Sequence, residues 1–216
     1  MPFDHRDFPG APAPPREPAI NLPPLTLGLI VLILVLHGLR QFLPEQTDAE
    51  LLFTFSMIPA RFTGAVPSDI ESLVLAPLTH MLLHASWLHV GVNAATLAAF
   101  GSPVERIMGG WRYLLLFVLC GLAGAALHVA FYPHDTSLML GASGAISGLF
   151  GALLIVLRNS GRMTAIVPFT ILWLALQVGL GLFTTTPNGD AIAWAGHIGG
   201  FVAGLALFLP IMRLRV

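Results

Sequence analysis

The sequence contains no lysine, one cysteine and, over 216 residues, only 10% charged side chains. Soluble domains carry about 25%, so this chain cannot cover a water-facing surface in the usual way. A soluble enzyme and a nucleic-acid-binding module are excluded on that ground. The formal net charge of −1 leaves no basic footprint for nucleic acid. The single cysteine, Cys120, rules out an intrachain disulfide and a multi-cysteine metal site. What remains is 56% hydrophobic residues, with 22 Gly and 17 Pro, and a mean hydropathy of +0.81. Gly and Pro are both more frequent in transmembrane helices than in soluble ones.

A membrane-spanning helix needs about 20 mostly apolar residues. Runs of that kind predict six spans: 25–43, 86–101, 111–132, 138–157, 163–183 and 191–212. All ten basic residues are arginines. If the N-terminus is cytoplasmic, Arg6, Arg16, Arg106, Arg112, Arg158, Arg162, Arg213 and Arg215 all fall in the cytoplasm, and only Arg40 and Arg61 lie outside. The positive-inside rule therefore predicts an all-α membrane protein with six transmembrane helices and both termini cytoplasmic. Residues 1–23 hold seven prolines and read as a disordered cytoplasmic tail, and 24–216 as the membrane domain. The external segment 44–85 is expected to be a partly helical loop at the membrane interface. No sequence repeat supports an inverted-repeat transporter.

Ionisable groups at membrane depth cost about 2.5–3.5 kcal/mol for Arg, Lys or Asp. The predicted helix interiors contain no Asp, Glu or Lys. Their polar residues are few and unevenly placed. His89 and Asn93 lie four apart on one face of the second helix, where they can serve as interhelical hydrogen-bonding groups or as donors to a ligand. The fourth helix begins Gly141-Ala-Ser-Gly-Ala-Ile-Ser-Gly148. Ser143 there stands beside free backbone N–H groups and the positive end of a helix dipole, a place where a hydroxyl can attack a carbonyl and the N–H groups can hold the oxyanion. Gly144, Ser147 and Gly148 equally suit a small-residue packing stripe. The sixth helix carries Gly196, Gly200 and Gly204 at intervals of four, with His197 beside the stripe. Facing stripes would draw the fourth and sixth helices together. The fifth helix offers only Gln177 and two threonines.

Three motifs in order make the chain resemble the rhomboid family of intramembrane serine proteases: Gly141-Ala142-Ser143-Gly144, His197 with Gly200 and Gly204, and His89-x-x-x-Asn93. His80, His84 and the turn Glu105-Arg106 with Gly109 also resemble the family. The likeness covers about residues 25–212 and implies a rhomboid-like bundle. It further implies a Ser143–His197 dyad, with His89, Asn93 and the Ser143 N–H as oxyanion hole. His84, Gly141, Gly144, Ser147 and Gly200 would line or support the cavity. Three positions depart from the family pattern. Ser147 stands where many members have an aromatic packed on the histidine, Gly196 stands where Ala is common, and the external loop has no Trp-Arg pair. Asp190 is set aside as a triad acid because it lies at or beyond the membrane surface.

The likeness implies single-span membrane proteins as substrates, the lipid bilayer as medium, no cofactor, and a bacterial inner membrane as location, with lateral access beside 184–190. Two rival readings find less support. His80 and His84 lack the glutamate of a His-Glu-x-x-His zinc motif, and no carboxylate inside a helix offers a third ligand, so no metal is expected. A rhomboid-like protein that binds or escorts helices without cutting would typically lack the serine or the histidine, and both are present.

Overall fold

The computed structural model describes residues 21–159, 167–168, 170–175, 177, 179 and 193–215. The proline-rich tail up to residue 20 and the expected access region 184–190 lie outside them. Among the described residues the chain is helical and has no strand. Its helices are α1 (Pro24–Arg40), α2 (Glu45–Phe55), α3 (Pro59–Phe62), α4 (Ile70–Thr79), α5 (Trp87–Thr96), α6 (Ser102–Met108), α7 (Gly110–Phe131), α8 (Ser143–Asn159) and α9 (Trp194–Met212). A further helical segment covers described residues between 167 and 179.

Among the described residues two helices are long and apolar enough to cross a bilayer alone: α7, with a mean hydropathy of 2.4, and α9, with 1.7. A third candidate is bent by 75° between Ile70–Leu82 and Trp87–Met108. α1 and α8 are apolar but shorter. The second predicted span therefore continues past Gly101 to Met108, through a π turn at Leu97–Gly101. The predicted fourth helix starts later than its hydropathy suggests. Residues 138–142 are not helical, because Met139 exchanges backbone hydrogen bonds with Met57 of the 44–85 segment, at 3.0 and 2.8 Å. The helix begins at Ser143 itself.

The segment between α1 and α5 contains α2, α3 and α4 and is pinned by two arginines. Arg40 is buried, donates from Nε and Nη2 to Asp48 at 2.6 and 2.9 Å, and donates from Nη1 to the His84 carbonyl at 2.8 Å. Arg61 stacks its guanidinium 3.8 Å from the Phe53 ring centroid and donates to the Phe53 carbonyl. Asp69 caps α4 by accepting from the Ser72 N–H at 2.6 Å, which holds its carboxyl below the ordinary range.

The start of α1 has a distant cap. Pro24 needs no hydrogen-bond partner for its nitrogen, but the next N–H groups do. Leu25 N–H and Thr26 N–H donate to the Glu105 carboxylate at 3.0 and 2.7 Å, and the Thr26 hydroxyl donates to it at 2.7 Å. Glu105 is thereby buried with its charge satisfied, at a helix N-terminus that favours an anion. Glu105→Ala is expected to destabilise the fold by about 2 kcal/mol, since it strands buried donors that had a charged acceptor. Unfolding in a detergent titration checks this, and an unchanged midpoint would contradict it.

The core is the packing of α7, α8 and α9 along glycines. A Cβ on Gly200 would fall 1.9 Å from the Gly144 carbonyl oxygen, and one on Gly204 equally close to that of Gly148. No side chain fits in that seam, so the stripes read from the sequence do face each other.

Candidate active site

The short loop before α8 determines where Ser143 stands. Gly141 takes φ +120°, a conformation side-chain-bearing residues rarely adopt. Its N–H donates to the His80 carbonyl at 2.9 Å. A Cβ at Gly141 would also lie 2.8 Å from His89 Nε2, so the imidazole rests directly on this glycine. The first N–H groups of α8 follow at once, without intrahelical partners.

At the mouth of this helix, His197 Nε2 lies 2.7 Å from Ser143 Oγ. These residues are 54 apart in the chain. The glycine seam holds their two helices close enough for the bond. On its other side, His197 Nδ1 lies 2.6 Å from Gln177 Oε1. The Ser143 hydroxyl thus has a lone pair to which it can pass its proton.

His89 and Asn93 come from α5, whose N-cap Ser86 accepts from the His89 N–H at 3.2 Å. His89 Nδ1 accepts from the Ala85 N–H at 3.4 Å. That assignment leaves the ring proton on Nε2, the atom beside Gly141. Asn93 is buried and donates from Nδ2 to the His89 carbonyl at 2.9 Å. An amide nitrogen has two N–H groups, so one is left over.

The other expected residues take supporting places. His84 is wholly buried; its Nε2 accepts from the Ala142 N–H at 3.5 Å, and its ring stands edge-on to His89 with centroids 5.1 Å apart. It therefore braces the loop and His89 from behind. Ser147 is buried and donates to the Ser143 carbonyl at 2.7 Å, so its hydroxyl stays on its own helix. Gly144 and Gly200 belong to the seam. His80 turns its Nδ1 to the Ala76 carbonyl at 2.9 Å.

Gln177 escapes the motif reading. Its one sequence signal is a lone amide in an apolar span, a feature that calls for a reason. Glu105 is a second such residue: the sequence places it in a turn but gives no sign that it caps α1.

Gly141→Ala is expected to lower kcat for any reaction at Ser143 by about 100-fold, as befits a displacement of roughly 1 Å at a reacting centre. Kinetics on protein of verified fold check this, and a wild-type kcat would show that the glycine is dispensable.

Residues 74–214 match the family described as the Rhomboid domain. Rhomboid protease GluP of Bacillus subtilis (strain 168) is 34% identical over 192 residues, which is 87% of this chain and 36% of that protein. RHOMBOID-like protein 4 of Arabidopsis thaliana is 34% identical over 156 residues, 67% of this chain and 37% of that one. Inactive rhomboid-related protein 2 of Caenorhabditis elegans is 28% identical over 140 residues, 62% of this chain and 40% of that one. The chain thus spans well under half the length of these relatives. A chain whose described residues are all-helical, with apolar helices long enough to cross a bilayer, is of the membrane-protein class. Within that class it belongs to the rhomboid family.

Proposed function

We propose that this chain is an intramembrane serine endopeptidase that cuts single-span membrane proteins in or near their transmembrane helix. The observation that carries the reading is the 2.7 Å approach of His197 Nε2 to Ser143 Oγ at the start of α8. Ser143 Oγ attacks the scissile carbonyl while His197 Nε2 takes its proton. The developing oxyanion is received by the Ser143 N–H, His89 Nε2–H and the second Nδ2–H of Asn93. His197 then gives its proton to the leaving amine, the C–N bond breaks, and an acyl-serine remains. Water, deprotonated by His197, hydrolyses that ester and regenerates the serine. No metal or cofactor has a part in these steps.

A transmembrane helix hides its amides in its own hydrogen bonds, so the substrate must unwind locally. Gly, Pro or other weak helix formers near the cut ease this. The reading includes six spans with both termini cytoplasmic, a topology supported by the arginine distribution, and a bacterial inner membrane as location. The alternative, a helix-binding protein that does not cut, is a live one in a family that holds a relative called inactive. The paired serine and histidine favour cutting.

The test is the full chain in liposomes with a tagged single-span protein, the products being read by mass. Two fragments that meet within or beside the transmembrane segment are expected. Capture of the substrate without any fragment would favour the binding reading instead.

A further inference from the structure

The His197 ring makes two short contacts, and the one to Gln177 decides its tautomer. A neutral imidazole has one N–H and one lone pair. Gln177 Oε1 can only accept, so the 2.6 Å contact places the proton on Nδ1. Nε2 then presents its lone pair to Ser143 Oγ at 2.7 Å, as a general base must. The opposite tautomer would put an N–H against the serine and leave the base unable to act.

We infer that Gln177 is a positioning residue for the reaction proposed above: it selects the Nδ1–H tautomer of His197 and orients the ring toward Ser143. The inference rests on the protease reading for its kinetic consequence, but the tautomer itself does not depend on it.

Gln177 is itself held in place. One turn before it, Trp173 packs against Phe150 of α8 and Phe201 of α9, with ring centroids 5.1 and 5.4 Å away. Phe150 and Phe201 also touch, at 5.8 Å. Phe201 lies one turn beyond His197, and Phe150 two turns beyond Ser143. A cluster of three rings therefore ties together the three helical segments that carry Ser143, Gln177 and His197. Ser147 cannot do this work, because its hydroxyl is bonded to the Ser143 carbonyl. An amide suits the place better than a carboxylate would, since it accepts the ring N–H without adding a buried charge.

The test compares Gln177→Leu and Gln177→Glu with wild type, full-length and in liposomes. The leucine keeps bulk and loses the acceptor, whereas the glutamate keeps an acceptor oxygen in either protonation state. Gln177→Leu is expected to lower kcat about 100-fold with KM within about twofold, below the ~10⁴-fold cost of a wrong tautomer because the ring can still reach the right one part of the time. Gln177→Glu is expected to stay within about tenfold of wild type. Nitrogen-15 spectra of histidine-labelled protein, with His197 assigned by its loss in His197→Asn, should show Nδ1 protonated in wild type and a tautomer mixture in Gln177→Leu. Wild-type kcat in Gln177→Leu, equal losses in both variants, or an unchanged His197 tautomer would overturn the inference. A wild type that never cuts but shows the Nδ1–H tautomer and its loss would sink the protease reading and leave the positioning contact standing.

Discussion

Ser143→Ala and His197→Ala are each expected to lower kcat/KM for a transmembrane substrate by about 10⁴-fold or more, and the double variant to lose little beyond either single one. In the proposed reaction the two side chains share one proton transfer across their 2.7 Å contact. Once the hydroxyl is gone, the base has nothing to activate. Once the base is gone, the hydroxyl keeps its proton and is a poor nucleophile. Non-additivity is thus the signature of a working pair, measured as a double-variant cycle on protein shown to be folded. Losses that multiply would mean that the two residues act independently, and the dyad would have to be abandoned.

Gly200→Val is expected to be the most damaging change outside the dyad. Any Cβ at Gly200 would meet the Gly144 carbonyl oxygen at 1.9 Å and its carbon at 2.7 Å. These are backbone atoms and cannot swing aside, so α8 and α9 must separate. Overpacking of this kind costs about 1–3 kcal/mol and occasionally more. The separation also pulls His197 from Ser143, because one sits on each helix, and a displacement of about 1 Å is enough to cost about 100-fold in rate. Gly200→Val should therefore lower both the unfolding midpoint and the activity of whatever remains folded. Gly28→Ala in α1 is the control: nothing lies within 4 Å of its Cβ, and alanine is the better helix former by up to about 1 kcal/mol. A Gly200→Val protein as stable and active as wild type would refute the seam.

Much of this is legible in the sequence, and the parts that are not share a cause. Gly144, Gly148, Gly200 and Gly204 announce a close helix pair because an interval of four puts small residues on one face. Ser143, His197, His89 and Asn93 can be singled out because polar groups are scarce in apolar runs. The start of α8 is harder. Hydropathy carries the fourth helix back to residue 138, whereas α8 begins at Ser143, since an apolar strap and an apolar helix have the same composition. The deciding fact is the pairing of Met139 with Met57, a contact between distant parts of the chain. Glu105 and Gln177 escape for a related reason. Their meaning lies in partners 79 or 80 residues and 20 residues away, and neither spacing follows from a local period.

The most direct measurement is to trap the nucleophile. Liposome-embedded protein would be treated with a fluorophosphonate, digested, and the modified peptide sequenced by mass. The account predicts that Ser143 Oγ displaces fluoride and carries the phosphonyl group, that Ser147 stays unmodified, and that His197→Ala removes the adduct. A protein that cuts its substrate while Ser143 stays unmodified, or whose adduct sits on another residue, would contradict it.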